Sequence, residues 1–526
     1  MRVLDLKKTE APKKDRKVLI LTGRLCENAI RELIGQQPAD VLALPIDVAS
    51  LMTTHLALQA LNDVDLSPYQ LVLVPGAASM NLNTLEERFG IPFRRGPFHY
   101  RHLAALLAYL PQLSLSKDVP ADLLMTKQIR RQTLSQLATI EKRRLSQATW
   151  RITIGSGKTS LTIFRGCLPR VIAEITNAPQ LGVGEITRIA KYYRAQGADL
   201  IDIGMSPNQE NVDFLKSALP ALKSQLDVPI SVDTAKDREI LAAADLGADL
   251  ILSLCASNIE LAESLDIPFV VVPLERPDRS VPRSPAERVS LLDKMLCRIQ
   301  QRYAILDPVL EPVGLGHFTS LLAYADLYAR LPDAVTLMGV GNATEMIDAD
   351  SIGINALMAG IASELGVSLL LTTESSRKTH GAVSELVVAR NMTYFSTATR
   401  TPPKNIGINL LRYKEKIDLS TPVNLPQNAL LVKADSSKHA SPEIEKQVFS
   451  IWIAERSIHV TQVAGPQVVD IEGPTAGAIL DKLDQLGLLP SARHSAYIGY
   501  ELAKAEIALA TGRSYVQDYP LFEGDQ

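Results

Sequence analysis

The chain has 526 residues, 46% of them hydrophobic, which indicates two to four domains with large cores. Its 55 basic and 58 acidic residues nearly balance, which argues against a nucleic-acid-binding or membrane-binding surface. The four cysteines form no CxxC pair, which argues against structural zinc and a disulfide framework and fits a reducing cytoplasm. The first residues are polar and no run of 18 apolar residues occurs, so we expect a cytoplasmic protein without a membrane span.

Residues 1–117 are predicted to form a small open α/β domain. After a basic arm, strand-like apolar runs alternate with helical segments; the runs are Val18 to Leu21, Val41 to Leu44 and Leu71 to Val74. Ligands of such sheets bind beyond the carboxyl ends of the strands. Thr22-Gly23-Arg24 and Pro75-Gly76 lie at such ends and are candidates for anion binding, with tight turns as the alternative interpretation.

Residues 118–165 are predicted to form a helical connector and a hairpin. The helical part is charged with leucines interleaved, which is typical of a connector. The segment from Gly155 to Thr159 resembles part of a phosphate-binding loop, but the position five before Gly157 is Ile152 instead of glycine. A strand-like segment follows it, so we predict a β-hairpin with a glycine turn.

Residues 166–400 contain eight strand-length apolar runs separated by helix-length segments. Most of the runs lack polar alternation, which is typical of strands buried on both faces. Eight strands alternating with helices over this length predict a central (βα)8 TIM barrel, and hence an α/β fold class. The runs are Val171 to Thr176, Asp199 to Gly204, Pro229 to Thr234, Asp249 to Leu254, Phe269 to Leu274, Tyr303 to Pro308, Ala334 to Gly339 and Ser368 to Thr373.

Acidic residues at the strand ends indicate a site, because barrels of this kind carry their active site at the C-terminal ends of the strands. Three strands contain or end in an aspartate, namely Asp202, Asp233 and Asp307. A carboxylate that is buried without a partner costs stability. Capping of the following helix is the alternative for each aspartate alone, but recurrence at three corresponding ends favours a shared polar pocket.

Residues 401–526 follow a proline-rich boundary and are predicted to form an α+β domain. His494 in the second helix is either a ligand or part of a helix face packed on a sheet or on the barrel. The predicted strands are Ala429 to Val432, Phe449 to Ile453, Ile458 to Val463 and Val468 to Ile471, and the predicted helices are Thr475 to Leu486 and Ala492 to Thr511.

The barrel motifs also resemble those of a known family. In order they are Glu174-Ile175-Thr176-Asn177, GADLIDIG (197–204), PISVDT (229–234), GADLI (247–251) and ILDP (305–308). This order and spacing resemble dihydropteroate synthase and its pterin-binding relatives, which include methyltransferases that pass a methyl group from a reduced pterin to a corrinoid. With its extra domains, the chain is similar to the long dihydropteroate synthase-like proteins of organisms that use tetrahydromethanopterin.

The resemblance implies a set of pterin-binding residues. The family's pterin-holding carboxylates match Asp202, Asp233 and Asp307. A carboxylate there would accept N–H donors of the pterin's guanidine-like edge in a forked geometry. The family's first-strand asparagine, near the diphosphate and magnesium, matches Asn177, which makes Asn177 the metal candidate. Ser253 falls where the family's asparagine after the fourth strand is replaced, and it completes the set.

The departures from the family lie where the diphosphate and the amine would bind. The family's Arg and His in the eighth strand fall at Leu371 and Thr373. Residues that follow this strand offer replacements at a position where barrels often hold phosphate. The predicted diphosphate-binding residues are Arg377, Lys378, His380, Ser375 and Ser376, and the further pocket candidates are Asn342 and Glu275.

The resemblance implies a dihydropteroate synthase-type transferase of tetrahydromethanopterin biosynthesis. A 6-hydroxymethyl-dihydropterin diphosphate would lose diphosphate to an arylamine, a ribosylated and phosphorylated aniline, with Mg²⁺ neutralising the leaving group. The alternatives are a pterin-dependent methyltransferase, which Asn342 favours, and a non-catalytic pterin-binding or assembly protein, which the replaced clamp residues favour. Barrels of this family often pair through their outer helices, so a homodimer is also implied.

Overall fold

The computed structural model describes residues 17–299, 303–414, 448–454, 457–464 and 467–522. The chain forms two compact units. The first runs to Thr373 and includes Gly381–Leu411, and the second combines Glu374–His380 with the residues from Arg412 onward. Within the described residues, no helix combines the length and the hydropathy that crossing a membrane requires.

The first unit begins with an open parallel sheet in the order β2-β1-β3-β4, which confirms the predicted small α/β domain. The cavity at the point where the strand order reverses, between β1 and β3, has a volume of about 300 Å³ and is lined in part by Thr22 and Pro75. Its strands are β1 (Lys17–Thr22), β2 (Ala39–Ala43), β3 (Tyr69–Val74) and β4 (Phe93–Arg95), and its helices are α1 (Glu27–Ile34), α2 (Thr54–Leu61), α3 (Leu82–Phe89) and α4 (Leu103–Tyr109).

A connector and a hairpin follow, as predicted. The helices are α5 (Ala121–Leu124) and α6 (Thr126–Gln147), and the antiparallel strands are β5 (Ile152–Ile154) and β6 (Leu161–Ile163). Gly155 and Gly157 have φ angles of 76° and 58°, which a residue with a side chain rarely adopts. Together with the antiparallel pairing of β5 and β6, these angles support the predicted hairpin with a glycine turn.

Eight parallel strands form the barrel, in the sheet order β12-β11-β10-β9-β8-β7-β14-β13. A parallel bridge between Leu306 and Thr336 joins its two ends. The strands are β7 (Arg170–Ile175), β8 (Leu200–Gly204), β9 (Ile230–Asp233), β10 (Leu250–Leu254), β11 (Phe269–Val271), β12 (Ala304–Leu306), β13 (Leu337–Gly339) and β14 (Leu369–Thr373). The predicted (βα)8 barrel is confirmed.

Helices cover the outside of the barrel. They bury one side of each strand in a common apolar core that includes Val171, Ile201 and Val232. These helices are α7 (Ala178–Ala195), α8 (Val212–Gln225), α9 (Asp237–Asp245), α10 (Pro285–Leu296), α11 (His317–Arg330), α12 (Gly341–Thr344), α13 (Ser351–Leu365) and α14 (Ala382–Thr399).

The hairpin closes one end of the barrel interior. Its residues Ile152, Ile154 and Ile163 share a buried cluster with one inward residue from nearly every strand. Those strand residues are Ile172, Leu200, Leu250, Val270, Ile305, Leu337 and Leu369. Because successive side chains of a strand point to opposite faces, the inward positions two residues later form the next layer up.

The segment 401–411 extends the barrel unit beyond the predicted boundary at residue 401. Ile406, Ile408 and Leu410 are buried in the core between strands and helices. Thr133 of α6 donates a hydrogen bond to the Ile406 carbonyl at 2.8 Å. The proline-rich stretch therefore lies inside the first unit, which ends at Leu411.

Within its described residues, the second unit contains a three-stranded antiparallel sheet and two α-helices, which confirms the α+β prediction. The His494 ring lies edge-on to Phe449 with the centroids 5.4 Å apart, which supports the packing interpretation for this helix face. The predicted strand at Ala429 to Val432 lies outside the described residues. The elements are β15 (Val448–Ala454), β16 (Ser457–Ala464), β17 (Gln467–Gly473), α15 (Ala476–Gln485) and α16 (Ala492–Thr511).

Candidate functional site

Strand register brings acidic side chains together inside the barrel. Glu174 of β7 pairs with Asp202 of β8, and Asp202 pairs with Ser231 of β9. Neighbouring strands lie about 4.8 Å apart, so paired residues that face inward touch or nearly touch. Asp233 lies two residues after Ser231 and shares its inward face. The register therefore places three carboxylates from three adjacent strands in one region.

The three carboxylates of Glu174, Asp202 and Asp233 form a cluster, here called the carboxylate triad. One oxygen atom from each lies within 4.8 Å of one oxygen atom from each of the others. Gly204, which pairs with Asp233, leaves room for this cluster, because a Cβ atom there would lie 2.5 Å from Oε1 of Glu174. Any larger residue at 204 would push the Glu174 carboxylate out of its place.

Asp202 is the most deeply buried member of the triad, with no exposed surface. Its Oδ1 accepts a hydrogen bond from the Ser231 hydroxyl at 2.6 Å. Its Oδ2 is buried and has no hydrogen-bond partner among the described residues. Burial, followed by the nearby charges of Asp233 and Glu174, raises the pKa of Asp202 well above its usual range.

The other two members are half-buried and also hold protons more tightly than usual. Burial raises the pKa of Glu174. Burial, together with the charges of Glu174 and Asp307, raises the pKa of Asp233 to about 7. Close to neutral pH the cluster therefore gains or loses protons readily, and a bound cation or hydrogen-bond donor would shift that balance.

Asp307 follows β12 and belongs to the same acidic region, because its charge acts on Asp233. Its Oδ1 accepts hydrogen bonds from the Tyr324 hydroxyl at 2.8 Å and from the Val309 amide at 2.8 Å. Burial raises its pKa to about 6, although these two hydrogen bonds and the Arg288 charge oppose the shift. The three predicted aspartates thus lie in one region of the barrel.

Arg288 of α10 fixes the loop after β12 that follows Asp307. Its side chain is fully buried and donates hydrogen bonds to the Val309 carbonyl at 2.8 Å and to the Ser320 hydroxyl at 3.1 Å. It also forms an ion pair with Glu311. A buried arginine with this many acceptors holds the loop in one conformation.

Comparison with known proteins agrees with the barrel geometry. Residues 181–307 match the sequence model described as "Pterin binding enzyme", residues 445–518 match "PterinBD-DUF4346", and residues 16–98 match a family of unknown function (DUF6513). The uncharacterized protein MJ0107 of Methanocaldococcus jannaschii is 31% identical over 530 residues, which cover 96% of this chain and 99% of that protein. The chain belongs to the same family as MJ0107, and its residues 181–307 match the pterin-binding enzymes.

Solved dihydropteroate synthases are similar to part of this chain. The enzyme from Yersinia pestis in complex with a pterin–sulfa conjugate is 20% identical, covers 48% of this chain and 99% of that chain, and has a TM-score of 0.37. The enzyme from Xanthomonas albilineans in complex with 7,8-dihydropteroate is 20% identical, covers 45% of this chain and 95% of that chain, and has a TM-score of 0.34.

Four further predicted pocket residues lie in the barrel unit. Asn177 is exposed directly after β7 and has a φ angle of 50°, while Ser253 is half-buried in β10. Asn342 is exposed, and its amide donates a hydrogen bond to the Leu310 carbonyl at 2.8 Å, so it holds the neighbouring loop. Glu275 is exposed.

The five predicted diphosphate-binding residues belong to the second compact unit. Nη1 of Arg377 donates a hydrogen bond to the Ser514 hydroxyl at 3.0 Å. The His380 ring lies 3.5 Å from the Glu374 carboxylate, and a Cβ atom at Gly512 would lie 3.2 Å from the same ring. These contacts tie the segment after β14 to the chain that follows α16. The complete set is Ser375, Ser376, Arg377, Lys378 and His380.

Two site residues of the pterin-binding protein were not predicted as such. In the sequence, Glu174 stands out only as part of the first family motif, although a charged residue inside an apolar strand itself indicates a candidate site residue. Glu174 pairs with Asp202 of the neighbouring strand, and Gly204 leaves room for the Glu174 side chain. Both relations become visible only once the strand register is known. Arg288 was not among the predicted site residues either.

Proposed function

We propose that this pterin-binding protein is a transferase of the dihydropteroate synthase type. It would join a 6-hydroxymethyl-dihydropterin diphosphate to an arylamine and release diphosphate. The observation that carries the proposal is the convergence of Asp233 and Asp307, two carboxyl groups with raised pKa values, inside a barrel of the pterin-binding family. The finer assignment to tetrahydromethanopterin biosynthesis, with a ribosylated and phosphorylated aniline as the amine, is part of the same proposal.

The chemistry of a pterin suits these carboxyl groups. A pterin edge presents adjacent N–H donors, and a carboxylate accepts two of them with charge-assisted hydrogen bonds. Asp307 is held in place by the Tyr324 hydroxyl and the Val309 amide, and both bind Oδ1, so Oδ2 remains for a ligand. As the methylene carbon loses diphosphate, positive charge develops on the ring, and nearby carboxylates stabilise it.

Magnesium fits this proposal through Asn177. Mg²⁺ prefers oxygen ligands and is usually held by one or two side chains together with substrate phosphates and water. Asn177 offers one amide oxygen at an exposed position directly after β7. When bound with the diphosphate, Mg²⁺ would neutralise the leaving group.

Calorimetry with a 6-hydroxymethyl-dihydropterin tests the pterin site. Asp233→Asn removes the negative charge from one side of the predicted fork and keeps its size, so we expect pterin affinity to fall by about tenfold to about a hundredfold, as for a lost charge-assisted hydrogen bond. The matched control is Asp227→Asn, an exposed aspartate that pairs with Arg194 on the surface. Equal affinity in the wild type and in Asp233→Asn would refute the site.

The transfer reaction is tested separately by measuring diphosphate release with dihydropterin diphosphate, Mg²⁺ and a panel of arylamines. We expect release that depends on the amine and is fastest with a phosphorylated ribosyl aniline. Release with none of the amines, by a protein that binds the pterin, would overturn the transferase proposal and leave a pterin-binding protein.

A further inference from the structure

The carboxylate triad concentrates negative charge where the protein supplies little to oppose it. The charges that act on Asp202 are those of Asp233 and Glu174, and both are acidic. Two buried arginines of the barrel unit are engaged elsewhere, since Arg288 pairs with Glu311 and Arg390 pairs with Asp199.

A second, independent feature points into the same cluster. Asp202 has no exposed surface, and its Oδ2 is buried without a hydrogen-bond partner among the described residues. A buried polar atom without a partner costs about 1–3 kcal/mol, and more when the group is charged. An atom of this kind next to two further carboxylates is explained by a positively charged ligand that the three groups share.

We propose that the carboxylate triad binds one hard divalent cation, of the Mg²⁺, Mn²⁺ or Ca²⁺ class, in the barrel interior. Three oxygens no more than 4.8 Å apart leave a point within about 2.8 Å of all three (4.8 Å divided by √3). Bonds from oxygen to Ca²⁺ measure about 2.3–2.6 Å and bonds to Mg²⁺ about 2.0–2.1 Å, so small side-chain movements complete the contacts. A donor set of oxygens alone selects hard cations over zinc or copper.

The rest of the cradle is built for such a ligand. Gly204 gives the Glu174 carboxylate its space, and Ser231 orients Asp202 by donating to Oδ1, which leaves Oδ2 for the cation. A carboxylate has two oxygens, so Asp233 can bind the cation with one and accept a hydrogen bond with the other. Water would fill the remaining coordination positions, as is usual for Mg²⁺.

This cation differs from magnesium that enters with a diphosphate. It is held by three protein carboxylates and requires neither pterin nor diphosphate. The inference goes beyond the proposed function, and a measurement with the metal alone separates the two, since pterin binding and diphosphate release play no part in it.

The test is titration of the chelator-treated full-length chain with Mn²⁺, followed by the loss of the free-ion electron paramagnetic resonance signal. We expect one Mn²⁺ per chain, displaced by Mg²⁺ or Ca²⁺. Glu174→Gln and Asp202→Asn each remove one charged ligand and keep the shape, so we expect affinity to fall by at least about tenfold. Asp227→Asn is the matched control, because it neutralises an exposed aspartate that pairs with Arg194 outside the triad and leaves Mn²⁺ binding within about threefold.

Thermal unfolding supplies a second measurement. We expect Mn²⁺ to raise the melting temperature of the wild type and of Asp227→Asn but not that of Glu174→Gln. Without metal, Glu174→Gln is expected to melt at or above the wild-type temperature, because it relieves repulsion within the triad. Absence of Mn²⁺ binding by the folded wild type up to about 1 mM, or binding that Glu174→Gln and Asp202→Asn leave unchanged, would overturn the inference.

Discussion

The stability of the barrel depends on pH through Asp307, and one substitution removes this dependence. Burial raises its pKa from 3.8 to about 6, so between these values the folded chain keeps a proton that the unfolded chain has released. The free energy of unfolding therefore falls as the pH rises through this window, and the loss is complete above the folded-state pKa. The difference, 6 minus 3.8 or about 2.2 pKa units, corresponds to about 3 kcal/mol.

The Asp307→Asn variant isolates this contribution. Asparagine keeps the size and an acceptor oxygen for Tyr324 but cannot titrate. Between about pH 4 and about pH 7.5 we expect the free energy of unfolding of the variant to increase by about 3 kcal/mol relative to the wild type. Of the two tryptophans, Trp150 lies in the first unit and Trp452 in the second. In a Trp452→Phe background, fluorescence during urea unfolding therefore reports on the first unit, and a chelator keeps divalent cations from contributing.

A control fixes the sign of the pH effect. Asp227 is exposed, and its hydrogen bond to Arg194 lowers its pKa. The stability that Asp227 contributes is therefore present above its ordinary pKa and is lost in acid. Asp227→Asn should therefore show a small effect of the opposite direction. If the difference between the wild type and Asp307→Asn stays constant across the pH range, the assignment of a raised pKa to Asp307 is refuted.

Two further substitutions test how the barrel is held together. Arg288→Met should destabilise the barrel unit by about 3–5 kcal/mol, because it leaves buried acceptors and the Glu311 carboxylate without their partner. The control Arg276→Ala changes an exposed arginine and should leave urea unfolding unchanged. A urea midpoint of Arg288→Met equal to that of the wild type would contradict the role of Arg288 in holding the loop. Ile154→Ala should lower the free energy of unfolding by about 2–5 kcal/mol, because it opens a cavity between the hairpin and the barrel. Thr153→Ala changes the exposed neighbour and should lower it little. Equal melting temperatures for these two variants would show that the hairpin does not close the interior.

Long apolar strands made the barrel predictable from the sequence. All eight predicted runs overlap an observed strand, because strands buried on both faces carry a continuous apolar signal. The same continuity hides which residues face inward, so Glu174 could not be assigned to the site without the register that pairs it with Asp202. Strand β4 escaped prediction because it has only three residues, two of them arginines.

The predicted diphosphate-binding residues have a contact that sequence proximity does not reveal. Arg377 follows β14 directly, which favoured a place at the barrel mouth. Its observed partner Ser514 lies 137 residues further along the chain, and no local pattern announces such a contact. The boundary at residue 401 shows a similar limit, since a proline-rich stretch signals an interruption of regular structure but not which core the next residues join.

The hairpin of β5 and β6 has a practical consequence for dissecting the chain. An expression product that began at residue 166, where sequence alone places the start of the barrel, would lack Ile152, Ile154 and Ile163 and would expose the lower ring of apolar side chains to water. One that stopped at residue 400 would also lose Ile406 and Ile408 from the outer core. A barrel excised for crystallography or ligand screening should therefore keep α6, the hairpin and the chain as far as Leu411.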